Sequence, residues 1–111
     1  METENTKNTI TLSSLSYDYK KKLLFEGKYI KGIKYGKEYD NNGHLIFEGE
    51  YFNDKKWNGK IKEYDYKDNL IFEGEYLNGE RNGKGKEYKR NGKLKFEGEY
   101  LNGERLNRKE L

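Results

Sequence analysis

With 39% charged and 32% hydrophobic side chains, this 111-residue chain lies well outside the roughly 45–50% apolar and about 25% charged make-up of an ordinary globular domain. Its 23 basic and 20 acidic residues nearly balance and it has no cysteine, which excludes a disulfide framework, thiolate chemistry and a strong field for a polyanion. Aromatics at 15%, with 11 Tyr among them, argue against the disorder that such polarity alone suggests.

Length allows one domain. Residues 1–11 (METENTKNTIT) have neither the basic start nor the apolar stretch of a signal peptide and read as a disordered N-terminal segment. The longest apolar runs are triplets such as Leu23-Leu24-Phe25, too short to span a bilayer, so a cytoplasmic chain, at most peripheral to a membrane, is the expectation.

From residue 12 to residue 101 the chain repeats. Phe-Glu-Gly begins at Phe25, Phe47, Phe72 and Phe96, and Lys-Glu-Tyr at Lys37, Lys62 and Lys86. Tyr17 to Phe25, Tyr39 to Phe47, Tyr64 to Phe72 and Tyr88 to Phe96 are each eight residues apart. By contrast, Tyr29 to Tyr39, Tyr51 to Tyr64 and Tyr76 to Tyr88 are 10, 13 and 12. This divides the array into a half unit 12–24, units 25–46, 47–71 and 72–95, and a partial unit 96–103, with a charged tail over 104–111.

The constant spacing predicts a tight connection, with Asn42-Gly43 and Asn91-Gly92 as type I′ hairpin turns. The variable spacing predicts loops that absorb insertions, the longest of which holds Trp57. Between turns the period is two: in LIFEGEYF, Leu45, Phe47, Gly49 and Tyr51 point one way and Ile46, Glu48, Glu50 and Phe52 the other. Eight strands follow, at 12–19, 22–30, 35–41, 44–52, 59–66, 70–77, 83–90 and 93–101, joined as an antiparallel meander. If Phe72, Gly74 and Tyr76 share a face with Gly83 and Gly85, each ring has a bare backbone to lie across, and a thin core forms without a second layer. The opposite face would carry Glu73 and Glu75 against Lys84 and Lys86 as a self-satisfying charge ladder.

The stretch YLNGERNGKGKEYKRNGKLKFEGEY resembles the MORN (membrane occupation and recognition nexus) repeat, in which aromatic-x-Gly-x-aromatic is followed by Gly and then Gly-x-Gly. Phe72-Glu-Gly74-Glu-Tyr76, Gly79 and Gly83-Lys-Gly85 match that order, and Phe96, Gly98, Tyr100 and Gly103 match the first half of a further unit. Phe25, Gly27 and Tyr29, and Phe47, Gly49 and Tyr51, occupy the same positions in earlier units. EYDNNGHLIFEGEY is also similar to the bacterial MORN-variant (YwqK-like) repeats. Departures are Tyr for the usual Trp, Asp54 in the place of Gly79, and Ile61 in place of a second glycine. The resemblance implies an all-β, elongated, twisted single-layer sheet of tandem hairpins that serves as a protein-interaction or scaffolding module. Its alternatives are recruitment to anionic phospholipid and antitoxin-like inhibition of a toxin partner.

Chemistry is scarce. His44 is the only histidine and reads as a solvated turn residue; all serines lie between Ser13 and Ser16, so no Ser-His-Asp arrangement forms and zinc lacks ligands. Glu26, Glu48, Glu73 and Glu97 recur identically, and no one of them stands apart as a catalytic carboxylate would. A non-enzymatic chain without cofactor or small-molecule substrate is expected. Because Glu follows nearly every Lys, Lys60, Lys62, Lys84 and Lys86 argue against nucleic acid. Lys20-Lys21-Lys22 beside Leu23-Leu24-Phe25 offer a weak contact to anionic lipid. The remaining candidates are aromatic: Tyr39, Tyr64 and Tyr88, one repeat apart on the face opposite the Phe-Gly-Tyr set, and Trp57, as contacts for a protein partner. The terminal strands also predict self-association through the sheet ends.

Overall fold

Alternating side chains between turn residues leave the chain one way to satisfy its backbone, which is to pair each strand with the next. The computed structural model, which describes residues 11–106, shows nine strands in one open antiparallel sheet whose order is the sequence order. They are β1 (Thr11–Tyr17), β2 (Leu23–Ile30), β3 (Ile33–Tyr39), β4 (Leu45–Phe52), β5 (Lys55–Tyr64), β6 (Leu70–Leu77), β7 (Glu80–Tyr88), β8 (Leu94–Leu101) and β9 (Glu104–Arg105). The expected all-β meander is what forms, with one strand more than the eight anticipated. Thr11 already belongs to β1, and Glu104–Arg105 pair with Leu101 and Tyr100 where a tail was expected. The expectations for residues 1–10 and 107–111 lie outside the described residues.

The two kinds of connection exchange roles relative to the sequence reading. The constant half is closed by a five-residue loop: Gly43 N–H donates to the Asp40 carbonyl and Asp40 N–H to that of His44, each at 3.0 Å. Only the fourth loop position is left-handed, as Lys21, Gly43, Asp68 or Gly92. Asn42 keeps negative φ, so Asn42-Gly43 is not a type I′ turn. It belongs to a type I turn followed by a left-handed residue. The variable half instead holds the two-residue turns. Lys31-Gly32, Asn53-Asp54, Asn78-Gly79 and Asn102-Gly103 have positive φ at both residues, the requirement for type I′.

The length differences therefore fall within strands. β2 and β3 pair without interruption, whereas the β4–β5 ladder shifts between Glu50 and Tyr51 and the β6–β7 ladder between Gly74 and Tyr76. β5 also sits in a staggered register, with Ile61 opposite both Phe47 and Gly74 while Glu63 faces Phe72. Bulges keep inserted residues inside the sheet, so β5 and β7 begin at Lys55 and Glu80, and the unbulged two-residue turn lets β3 begin at Ile33, each earlier than the turn residues suggested.

The core lies on one face. Phe25, Phe47, Tyr51, Ile61, Phe72 and Tyr100 are buried, with Tyr76 and Phe96 packed against them. Phe47 and Phe72 are each only 1% exposed although no second layer covers them. Glycines explain part of this. Phe25 lies so close to Gly27 and Gly36 that a Cβ on either would come within 2.5 Å of its ring, and Phe72 rests likewise on Gly74 and Gly85. The expected partnership with Gly83 does not form. The β6–β7 bulge sets Tyr76 opposite Arg81, and Gly83 meets Tyr100 of β8 instead. The Cα envelope of 57 × 43 × 18 Å is that of a thin plate.

Candidate interaction surface

The two faces differ in how far they close upon themselves. On the aromatic face, the Glu of each Lys-Glu-Tyr sits at the centre of a repeating cluster. Glu38 accepts from Tyr51 Oη at 3.0 Å and pairs with Lys56 Nζ at 3.3 Å. Glu63 pairs with Arg81 Nη2 at 2.9 Å, and its charge, after burial, raises the Tyr76 phenol. Glu87 accepts from Tyr100 Oη and pairs with Arg105 Nη2 at 2.9 Å. The cations also cap the rings. Lys34 Nζ lies 4.5 Å from the Phe25 centroid, and the Arg81 and Arg105 guanidinium carbons lie 3.9 and 4.2 Å from those of Phe72 and Phe96. Glycine backbone below and a cation above thus enclose Phe25, Phe72 and Phe96 without a covering sheet, whereas Phe47 is covered by the Tyr51 and Tyr76 rings, whose centroids lie 5.2 and 6.4 Å away.

Electrostatics follow from these contacts. Hydrogen bonding to Arg105, then to Tyr100, outweighs burial and holds the Glu87 carboxyl down at about 2. Burial and the Glu87 carboxylate push the Tyr100 phenol up to about 12. The sequence reading passed over Glu38, Glu63, Glu87, Arg81 and Arg105, although Glu followed by Tyr 13 residues on and a cation 18 residues on recurs three times and was legible.

The opposite face is more open. It carries Glu26, Lys37, Glu48, Lys60, Glu75, Lys84 and Glu99 on successive strands β2 to β8, alternating in sign. The expected ladder is in register there, but its Lys–Glu ion pairs are mostly not made, and Glu26, Glu73 and Glu75 accept instead from Tyr39, Tyr88 and the Lys84 N–H. Lys86 and Glu97 approach to 4.0 Å, while Lys60, Lys62 and Lys84 have no ion pair among the described residues. The strong pairs are those over the aromatic rings. A trough of about 670 Å³ runs over this lattice, lined by Ile46, Lys60, Lys62, Glu73, Lys84 and Glu97 among others.

Tyr39, Tyr64 and Tyr88 end β3, β5 and β7 along one border of this face. Tyr39 Oη donates to Glu26 Oε1 at 2.9 Å and Tyr88 Oη donates to Glu73, the latter pushing the Tyr88 phenol up to about 12. Tyr64 stacks on His44 with centroids 4.3 Å apart. Along the other border, Phe52, Leu77 and Leu101, each just before a type I′ turn, are 53%, 49% and 51% exposed. Trp57 is not in a loop. It lies half-buried in β5 at the bulge, its ring 4.9 Å from that of Phe52, and its carbonyl accepts from Gly79 N–H at 2.9 Å. The structure thus gathers the three tyrosines on one border and places Trp57 near the other.

His44 is not the solvated turn residue expected. It is half-buried, and Nδ1 lies 3.0 Å from Asp40 Oδ2 and 3.1 Å from Asp68 Oδ1 of the next five-residue loop. The signal in the sequence was the matching place of Asp40 and Asp65 at the head of two successive loops, which puts the loops side by side. Among the described residues this is the cluster able to hold a metal ion.

The chain matches no family model, no curated protein and no solved structure. The likeness to MORN repeats is therefore carried by its own residues. No helix is long and apolar enough to cross a membrane among the described residues.

Proposed function

We propose that the chain is a non-enzymatic MORN-type repeat module that binds a protein partner on the face bearing Tyr39, Tyr64 and Tyr88. The observation that carries this reading is the asymmetry of the faces. One has Phe25, Phe72 and Phe96 capped by cations and the carboxylates of Glu38, Glu63 and Glu87 paired, and the other leaves Phe52, Leu77 and Leu101 half-exposed beside a trough with lysines that form no ion pair among the described residues. Those apolar side chains recur every second strand, about 10 Å apart at a strand spacing of 4.7–4.9 Å. A partner segment lying across the strands would meet apolar contact and both signs of charge in turn. Tyrosine suits such a surface because it supplies area at small entropic cost.

Capture from native lysate with wild-type chain and with Leu77→Asp tests the reading. A protein retained by the wild type and by Lys34→Gln, on the closed face, but lost with Leu77→Asp supports it. Equal retention by all three removes the assignment to this face.

A second reading, recruitment to an anionic membrane surface, has its own observation. Tyr19 and Tyr66 are 89% and 79% exposed on two loops of the same sheet edge, either side of the 40–44 loop, that also carry Lys20, Lys21, Lys22 and Lys67. Sedimentation with phosphatidylserine vesicles, lost on Lys20→Glu/Lys22→Glu, supports it; indifference to lipid charge discards it.

A further inference from the structure

We propose that Asp40, His44 and Asp68 form a binding site for a divalent transition-metal ion of the zinc class, bridging the loops of two neighbouring repeats. The donor set is one imidazole nitrogen and two carboxylates, which suits zinc, cobalt or nickel better than the all-oxygen shells of calcium and magnesium. The two nitrogen–oxygen separations are 3.0 and 3.1 Å, and the three donor atoms lie within 4.8 Å of one another. Two ligand atoms on one zinc ion, at bonds of about 2.0–2.2 Å, stand about 3.3–3.6 Å apart in tetrahedral geometry. The imidazole nitrogen is therefore within a few tenths of an ångström of that spacing from each carboxylate, and the two carboxylates, within 4.8 Å of each other, would close on the ion.

Two further features point to a cation. Nδ1 carries at most one proton, yet carboxylates from two different loops converge on it, so it cannot give each of them its own hydrogen. Nor does any Lys or Arg form an ion pair with Asp40 or Asp68 among the described residues, the nearby Arg90 reaching instead toward Asp65 at 3.9 Å. Two acidic groups are thus gathered on one nitrogen, and the charge that offsets them comes from the imidazole itself when protonated or from an ion in place of that proton. The ring itself is held in place: it stacks on Tyr64 at an interplanar angle of 15°, and His44 N–H is fixed to Asp40 Oδ1 at 3.0 Å. Both anchors keep Nδ1 directed at the gap between the loops. An ion bound there would tie the β3–β4 loop to the β5–β6 loop and so couple one repeat to the next.

Titration of the full chain with zinc chloride, and with cobalt chloride followed by visible absorbance, tests this. The expected result is saturable binding of a single ion, a cobalt spectrum with nitrogen and oxygen ligation, and a raised melting temperature with zinc. His44→Ala and Asp68→Asn should each weaken binding about tenfold or more, whereas Asp54→Asn, at the opposite edge of the sheet, leaves it unchanged. Asn tolerates the left-handed backbone found at Asp68, with φ of 70°, so Asp68→Asn keeps the loop. Absence of saturable binding, or undiminished affinity in either ligand variant, overturns the proposal.

Discussion

Gly74 shows what a one-layer sheet demands of a single residue. A Cβ there would lie 2.8 Å from Phe72 Cζ, 2.8 Å from the Lys84 carbonyl and 2.9 Å from Gly85 Cα. The ring covers the glycine, the cation of Arg81 covers the ring, and no slack exists between them. Gly74→Val is accordingly expected to cost about 1–3 kcal/mol or more, read as a fall in the urea midpoint. Gly43→Asn should cost well under about 1 kcal/mol, since nothing lies within 4 Å of that position and Asn visits its φ of 87°. Equal losses at the two sites would remove the ring-over-glycine account. Glu87 makes a second prediction at this scale. Its folded carboxyl is held at about 2, below its ordinary 4.5, so its contribution is fully present above pH 4.5 and is lost as the pH falls toward 2. Stability followed by urea midpoint across that window should fall less steeply in Arg105→Gln, which lacks the partner that lowers the carboxyl.

Among the elements, the hairpin connections carry the main revision. Asn-Gly is a strong turn signal, yet the turn type depends on how many residues the flanking ladder leaves unpaired, and that number is set across the strands. At 42–43 five residues connect β3 to β4, so a type I turn with one left-handed residue fits. At 78–79 two residues connect β6 to β7, and type I′ is required. The same logic places a lysine badly: Lys21 holds φ of 65° at the position occupied by Gly43 and Gly92 in later loops. Lys21→Gly should therefore stabilise by about 1 kcal/mol, measured by thermal or urea unfolding; no gain would show that the loop is too mobile for its backbone strain to count. Strand existence was legible from period-two alternation, since that follows from the pleat alone. Strand limits were less so, because a bulge takes up extra residues that look, in one dimension, like a loop.

Across the whole molecule, each strand hydrogen-bonds only to its sequence neighbours, and side chains such as Glu63 with Arg81 and Phe72 with Tyr100 reach one strand further, so stability is a sum over adjacent repeats. Hydrogen exchange on Gly74→Val should lose protection chiefly in β6 and β7 while β2 and β3 keep theirs; uniform loss would mean one cooperative unit instead. A zinc ion at the Asp40–His44–Asp68 seam would raise the coupling between repeats at one border only. By itself the sequence determined the repeat, the strands, their meander order and which residues alternate onto each face, because spacing and the two-residue period are local properties of a pleated chain. Only the tertiary structure decided where the charges pair and where they stay open. Side chains 13 and 18 residues apart meet through register and bulges, and that meeting closes the aromatic face, leaves the tyrosine face available and turns a lone turn histidine into the junction of two loops.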